Sequence, residues 1–168
     1  MNFEKISATQ AETHEELKPK HATRTVLLDE NDKVAVIEVT KHGYYKIPGG
    51  GIEENEIIED AAKREVREEA GCNCELVARL GTLETPVPVW DMLDISDGYI
   101  AKVIGEKATP EYEDWEKERG FKVVWFDSLD DAINIIEDNA VTEPGMDCLQ
   151  ERDLSFLKLA RDKLKDTI

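Results

Sequence analysis

The side chains with the most chemistry to offer are crowded into one stretch: Glu56, Arg64, Glu65, Glu68 and Glu69. On a helix turning about 100° per residue, Ile58, Ala61, Ala62, Val66 and Ala70 share one broad face that should pack on a core. Glu65 and Glu69 fall in the middle of that face, one turn apart, and Glu68 lies at its edge. Glu56, Asp60, Lys63 and Arg67 point toward water. Carboxylates along a buried stripe are costly unless they are paired, protonated or bound to metal, and such local rule-breaking is expected at functional sites. Clustered hard oxygen ligands suit Mg²⁺ or Mn²⁺. A solvated acidic helix is the plainer reading of the same residues, and periodicity alone leaves both open.

The order of residues narrows the choice. From Gly50 it runs Gly, five residues, Glu56, seven residues, Arg64-Glu65-Val66, one residue, Glu68-Glu69, one residue, Gly71-Cys72. This resembles the Nudix box, G-x5-E-x7-R-E-U-x-E-E-x-G-U, where U is bulky and apolar. Every fixed letter is present. The one departure is Cys72 at the last apolar position, a small hydrophobe that burial tolerates. The box spans Gly50 to Cys72, so the remainder has to be read on its own terms.

The resemblance, to MutT-like Nudix hydrolases, implies an α/β/α sandwich in which a mixed β-sheet packs between helices. It implies an Mg²⁺-dependent pyrophosphohydrolase (Mn²⁺ is an option) that cleaves a nucleoside diphosphate linked to another moiety, either a nucleoside triphosphate or an ADP-ribose-like substrate. Carried over residue by residue, Glu65, Glu68 and Glu69 would hold the metal, with a backbone carbonyl from Gly49 or Gly50. Glu65 is the candidate general base, and Arg64 would pair with one carboxylate and orient it. Glu56 would stabilise the start of the helix. Many members add a loop glutamate to the metal site, and here Glu118, then Glu116, is the choice. The competing class is a nucleotide-sensing module that keeps the fold without turnover. Such members typically have damaged box glutamates, and these are intact.

The elements that must position these groups follow from local pattern. ATRTVLL and VAVIEVT, separated by DENDK, read as a β-hairpin within residues 22–40. Tyr44–Ile47 reads as a short strand ending at Pro48. Gly49–Gly51 then let the backbone approach a ligand closely. The box helix is expected from Glu54 to Ala70, with Gly71 as its stop. Residues 73–84 alternate as a strand. Pro86 and Pro88 bound a loop carrying Trp90, residues 98–104 form another strand, and residues 107–120 read as an acidic loop. FKVVWF (121–126) is a strand. Ser128 starts a helix with Asp131 as its capping partner and Leu129, Ala132, Ile133 and Ile136 as its stripe. The last helix covers 147–166, and residues 1–20 form a polar arm or short edge strand.

With 168 residues, a single Nudix-type domain over 1–168 is expected. A net charge of −17 disfavours nucleic-acid polymers, which are gripped by Lys and Arg, and anionic membranes. It is compatible with a small nucleotide, because a divalent cation reverses the local sign of charge. A homodimer is left open. The three cysteines lack a pairing pattern, the N-terminus shows no signal peptide, and no stretch is long and apolar enough to span a membrane. A cytoplasmic setting is the default. His14 and His21 read as surface residues. Tyr44, Tyr45, Trp90 and Tyr99 could serve as stacking platforms for a base, with Trp90 and Gly50 as candidate substrate contacts. Pro88 occupies a position where ADP-ribose hydrolases of the family often carry proline.

Overall fold

In the computed structural model residues 16–166 are described. Strand β1 (Lys18–Leu28) runs through the middle of a seven-stranded sheet. On one side it pairs in parallel with β6 (Met92–Ile104), which pairs antiparallel with β5 (Asn73–Val87). On the other side it meets β4 (Gly49–Gly51) and, through Leu28 opposite Val34, β2 (Val34–Val39). Strand β2, antiparallel to β1, also pairs antiparallel with β3 (Tyr44–Lys46) and β7 (Phe121–Phe126).

Side chains alternate across the sheet, as strand geometry demands, and each face meets helices. Leu27, Ala35 and Ala101 pack against Val66 and Ala70 of α1 (Ile58–Ala70). Val26, Val34, Val36 and Ile100 face α3 (Leu129–Glu137) and α4 (Met146–Lys165), meeting Ile133, Ile136, Phe156 and Leu157. The result is a mixed sheet between helical layers, the α/β/α arrangement expected. Full burial of a side chain like Phe156 is worth about 1.5–3 kcal/mol. Its ring fills the space above Gly98, where any Cβ would collide with it.

Several boundaries differ from the sequence reading. Residues 1–15 of the expected arm lie outside the described residues, and Lys18–Lys20 already belong to β1, a central strand. Residues 54–57 form a turn and helix α1 starts at Ile58, which is exposed instead of joining the buried stripe. Pro86 ends up inside β5, and Pro88–Trp90 is one turn of 3-10 helix, not an open loop. Strand β6 begins at Met92, six residues ahead of the expected start at residue 98, because its polar residues Asp94, Ser96 and Asp97 find partners inside the fold. The acidic loop contains a short helix, α2 (Asp114–Arg119), held by a reciprocal cap between Glu113 and Glu116. Ser128 accepts from the Asp131 N–H, as its spacing predicts. Gly71 closes α1 in the left-handed conformation, φ 70°.

Candidate active site

The glycine-rich loop is shaped by what the glycines lack. At Gly49, with φ 156°, a Cβ would collide with the Thr23 carbonyl and come 2.8 Å from Arg24 Cδ. At Gly50 it would lie 2.6 Å from Glu65 Oε1. The backbone therefore passes directly between β1 and the carboxylates of α1. Two bonds pin the loop from behind: Thr25 N–H donates to Pro48 O (2.8 Å) and Ile47 N–H donates to Asp153 Oδ2 (3.0 Å).

Glu65 (8% exposed) and Glu69 (2% exposed) lie on the buried side of α1, as the helical phase predicts. Arg64 holds the outer part of the cluster. It donates to both oxygens of Glu56 (2.8 and 3.0 Å), to Glu65 Oε1 (2.9 Å), to Glu68 Oε2 (3.2 Å) and to the Gly51 carbonyl (3.0 Å). Glu56 therefore does not face water: it anchors Arg64, whose guanidinium holds the Glu56 carboxyl below its ordinary range. The Arg64 pKa is itself raised, chiefly by the Glu56 hydrogen bond.

Lys46 holds the inner part. Its ammonium donates to Glu69 Oε1 (2.8 Å), Glu69 Oε2 (2.9 Å) and the Gly49 carbonyl (2.9 Å). Burial pushes Glu69 up to about 7 against the pull of Lys46, with the Glu65 charge adding to the rise. Glu68 is also raised, by burial and then by Glu65.

Among the described residues no three acidic, histidine or cysteine side chains form a ready cation cage. In this arrangement Arg64 and Lys46 stand between the carboxylates. The donors nonetheless fit a hard divalent ion: they are all oxygens, and one cationic nitrogen already joins the Gly49 carbonyl to Glu69.

The cleft around these groups has a volume of about 370 Å³. Gly49, Gly50, Arg64, Glu65, Glu68 and Glu69 line one part of it. Of the two glutamates weighed from the acidic loop, Glu116 lines the cleft and is buried, whereas Glu118 is exposed on the outer side of α2. The order chosen from sequence is reversed because helix α2 sets the phase. Burial raises the Glu116 carboxyl, and Oε1 accepts from the Glu113 N–H (2.9 Å). Trp90, 40% exposed, stands on the cleft wall with Tyr44 and Tyr45. Tyr99 is buried and does not line it.

Sequence reasoning missed Lys46, and it missed a charged group on the α4 side of the cleft: Arg24, Arg152 and Asp153. A signal was present. Arg24 is the one charged residue in the β-branched and apolar run 22–28, and Arg152 and Asp153 fall on the same helical stripe as Leu149, Phe156 and Leu157.

Over 136 residues the chain is 30% identical to the rat (Rattus norvegicus) diphosphoinositol polyphosphate phosphohydrolase 2, a match covering 79% of this chain and 70% of that protein. It is 42% identical over 62 residues to the mouse (Mus musculus) 8-oxo-dGDP phosphatase, covering 35% of this chain and only 19% of that longer protein. Among solved structures, the NUDIX domain of Shewanella oneidensis NrtR in complex with ADP ribose aligns with a TM-score of 0.63 at 18% identity, covering 88% of this chain and 89% of that one. At that identity the likeness speaks for the fold alone. The model of the NUDIX domain matches residues 18–143, and the chain belongs to the Nudix family.

Proposed function

We propose that this chain is a divalent-metal-dependent hydrolase of phosphoanhydrides, cleaving a nucleoside diphosphate linked to another group. The observation that carries the reading is the convergence of the Gly49 carbonyl and Glu69 on a single cation, Lys46 Nζ, beside Glu65 and Glu68. Glu65, Glu68, Glu69 and the Gly49 carbonyl would hold Mg²⁺, with Glu116 as the additional carboxylate in place of Glu118. When bound, the ion supplies charge neutralisation of the phosphate oxygens and a lowered pKa for water.

The residues of the chain do the rest. Arg64 fixes the Glu65 and Glu68 carboxylates against each other and ties α1 to the loop through Gly51. Glu65 is the base best placed to take a proton from an attacking water, because its carboxylate lines the cleft, packed against the Gly50 backbone. Lys46, released from Glu69, can follow the negative charge of the substrate. Trp90 and Tyr45 offer flat faces for a base on the cleft wall.

The substrates named for relatives give the panel to test: nucleoside triphosphates, 8-oxo-dGDP, ADP-ribose and a diphosphoinositol polyphosphate. The protein is incubated with each in Mg²⁺, Mn²⁺ or EDTA, and phosphate, pyrophosphate and nucleoside monophosphate are measured. Metal-dependent release from at least one is expected. Binding without release from any would replace this reading with the nucleotide-sensing module.

A further inference from the structure

The part of the cleft away from α1 is built on the opposite face of the sheet. In register, Lys20, Ala22 and Arg24 of β1 lie beside Asp94, Ser96 and Gly98 of β6, and α4 closes over them. Arg152 is 4% exposed and held between two acids. Its Nε donates to Asp153 Oδ1 (2.9 Å), and its Nη1 lies 3.2 Å from Asp94 Oδ2, an ion pair without hydrogen-bond alignment. The other oxygen of each acid is also engaged: Asp94 accepts from Ser96 (2.5 Å) and Asp153 from Ile47 N–H (3.0 Å).

Arg24 is left over. It lines the cleft at 7% exposure, and its Nε and Nη1 are buried without a hydrogen-bond partner. Arginine cannot shed its charge, and a buried unpaired charge is among the costliest arrangements in a protein. Burial and then the Arg152 charge act against the charged Arg24, while Asp153, Asp94 and Glu69 attract it without hydrogen-bonding its Nε or Nη1. Packing alone does not account for this residue, since a methionine would fill the space beneath Gly49 without stranding a guanidinium. Lys20 is exposed to water, and the buried charges balance, Arg24 and Arg152 against Asp94 and Asp153. Those acids are engaged by Arg152, Ser96 and the Ile47 N–H, so Arg24 Nε and Nη1 lack an acceptor that an anion's oxygens could supply. The guanidinium fork matches the oxygens of a phosphoryl group.

We propose that Arg24, flanked by Arg152 and Lys20, is a second anion subsite that binds a phosphoryl group on the half of the substrate remote from the anhydride being cleaved. The inference rests on reading the cleft as that of a phosphoanhydride hydrolase. It names the substrate class as one carrying a further phosphate beyond the scissile pair. Such a molecule would span the cleft, with its anhydride at the carboxylates of α1 and its second phosphate over Arg24.

The test uses metal-free protein in EDTA, where the carboxylate end repels anions and no turnover occurs, so its result is independent of the hydrolysis panel. Inorganic pyrophosphate is titrated by calorimetry and by amide and arginine Nε–H NMR. The expected dissociation constant is about 1 mM or tighter, weakened about tenfold or more in Arg24→Gln by loss of a charged hydrogen bond. The NMR changes should fall on residues 22–24 and 149–153. The wild-type NMR arm decides the matter even if the variant fails to fold. Absence of binding to wild type, equal affinity in a folded Arg24→Gln, or shifts confined to residues 58–70 would overturn the proposal.

Discussion

The cleft has two ends that handle buried charge in opposite ways. At α1, carboxylates outnumber their partners, and Arg64 and Lys46 hold them apart. At α4, acids and bases are woven together through Arg152, Asp94 and Asp153, and a cation, Arg24, is left unmatched. The first end is short of positive charge and the second short of hydrogen-bond acceptors for its cation. A metal-bound polyphosphate is a molecule that supplies both. The contrast also separates two uses of burial: Glu69 is desolvated where a ligand could complete it, whereas Asp153 is desolvated to hold backbone, through Ile47 N–H.

The largest effect should come from the acidic end. Glu69→Gln keeps the shape and removes the charge, so Mg²⁺-dependent release in the panel should fall by about 10²–10³-fold or more. Thermal unfolding of the metal-free protein should be no worse than wild type. Unchanged turnover would remove Glu69 from the site and with it the asymmetry between the ends.

Next in size is the structural acid. Asp153→Ala strands Arg152 and the Ile47 N–H together, with an expected cost of about 3–5 kcal/mol in urea unfolding. A loss below about 1 kcal/mol would mean that the α4 network relaxes freely, and that Asp153 is not needed to hold the backbone at Ile47.

Acidity offers a sharper comparison. The Glu69 carboxyl is raised to about 7 in the folded protein from an ordinary value of 4.5. Between those values the unfolded chain has released this proton and the native chain keeps it, so raising the pH draws the equilibrium toward unfolding. Metal-free stability contributed by this group is therefore full below about pH 4.5 and declines through about pH 7. Glu69→Gln should flatten that decline in pH-dependent melting curves, and an equally steep curve in the variant would contradict the assignment.

The smallest effect is expected at the mouth of the basic end. Lys20 is exposed, so Lys20→Ala should change stability by no more than about 0.5 kcal/mol. It should weaken pyrophosphate binding only a few-fold, in a salt-dependent way, as measured by calorimetry at two ionic strengths. A loss as deep as that of Arg24→Gln would shift the centre of the subsite outward.

The two ends were unequally legible in the sequence. Glu65 and Glu69 announced themselves because a long helix fixes the phase of its residues, and their conflict with the apolar stripe could be read directly. Arg152 and Asp153 carry the same conflict on α4, yet each is masked by the other: adjacent opposite charges look like surface polarity until the fold brings in Asp94. The polar start of β6 was hidden for the same reason, since Asp94 and Ser96 become acceptable in a strand only through partners distant in sequence or within the buried network. Glu116 and Glu118 could not be ordered without a helix to orient them, although Glu113 and Glu116 have the spacing of a reciprocal cap. Lys46 carried no local mark at all. Its role depends on the bend at Pro48 and on the helix beyond it, which bring the Gly49 carbonyl and Glu69 within reach of the ammonium.

Gly145 stands at the start of α4 with φ 90°, and an added Cβ would lie 2.7 Å from the indole of Trp90. The tip of the β5–β6 hairpin therefore rests its ring on bare backbone, with no side chain as a cushion. Light emitted by that indole thus becomes a gauge of the gap between hairpin and helix. Quenching or a colour shift on titration would register the wall moving once Trp115, which lines the same cleft, is replaced by Phe; Trp125 sits elsewhere, against Lys107.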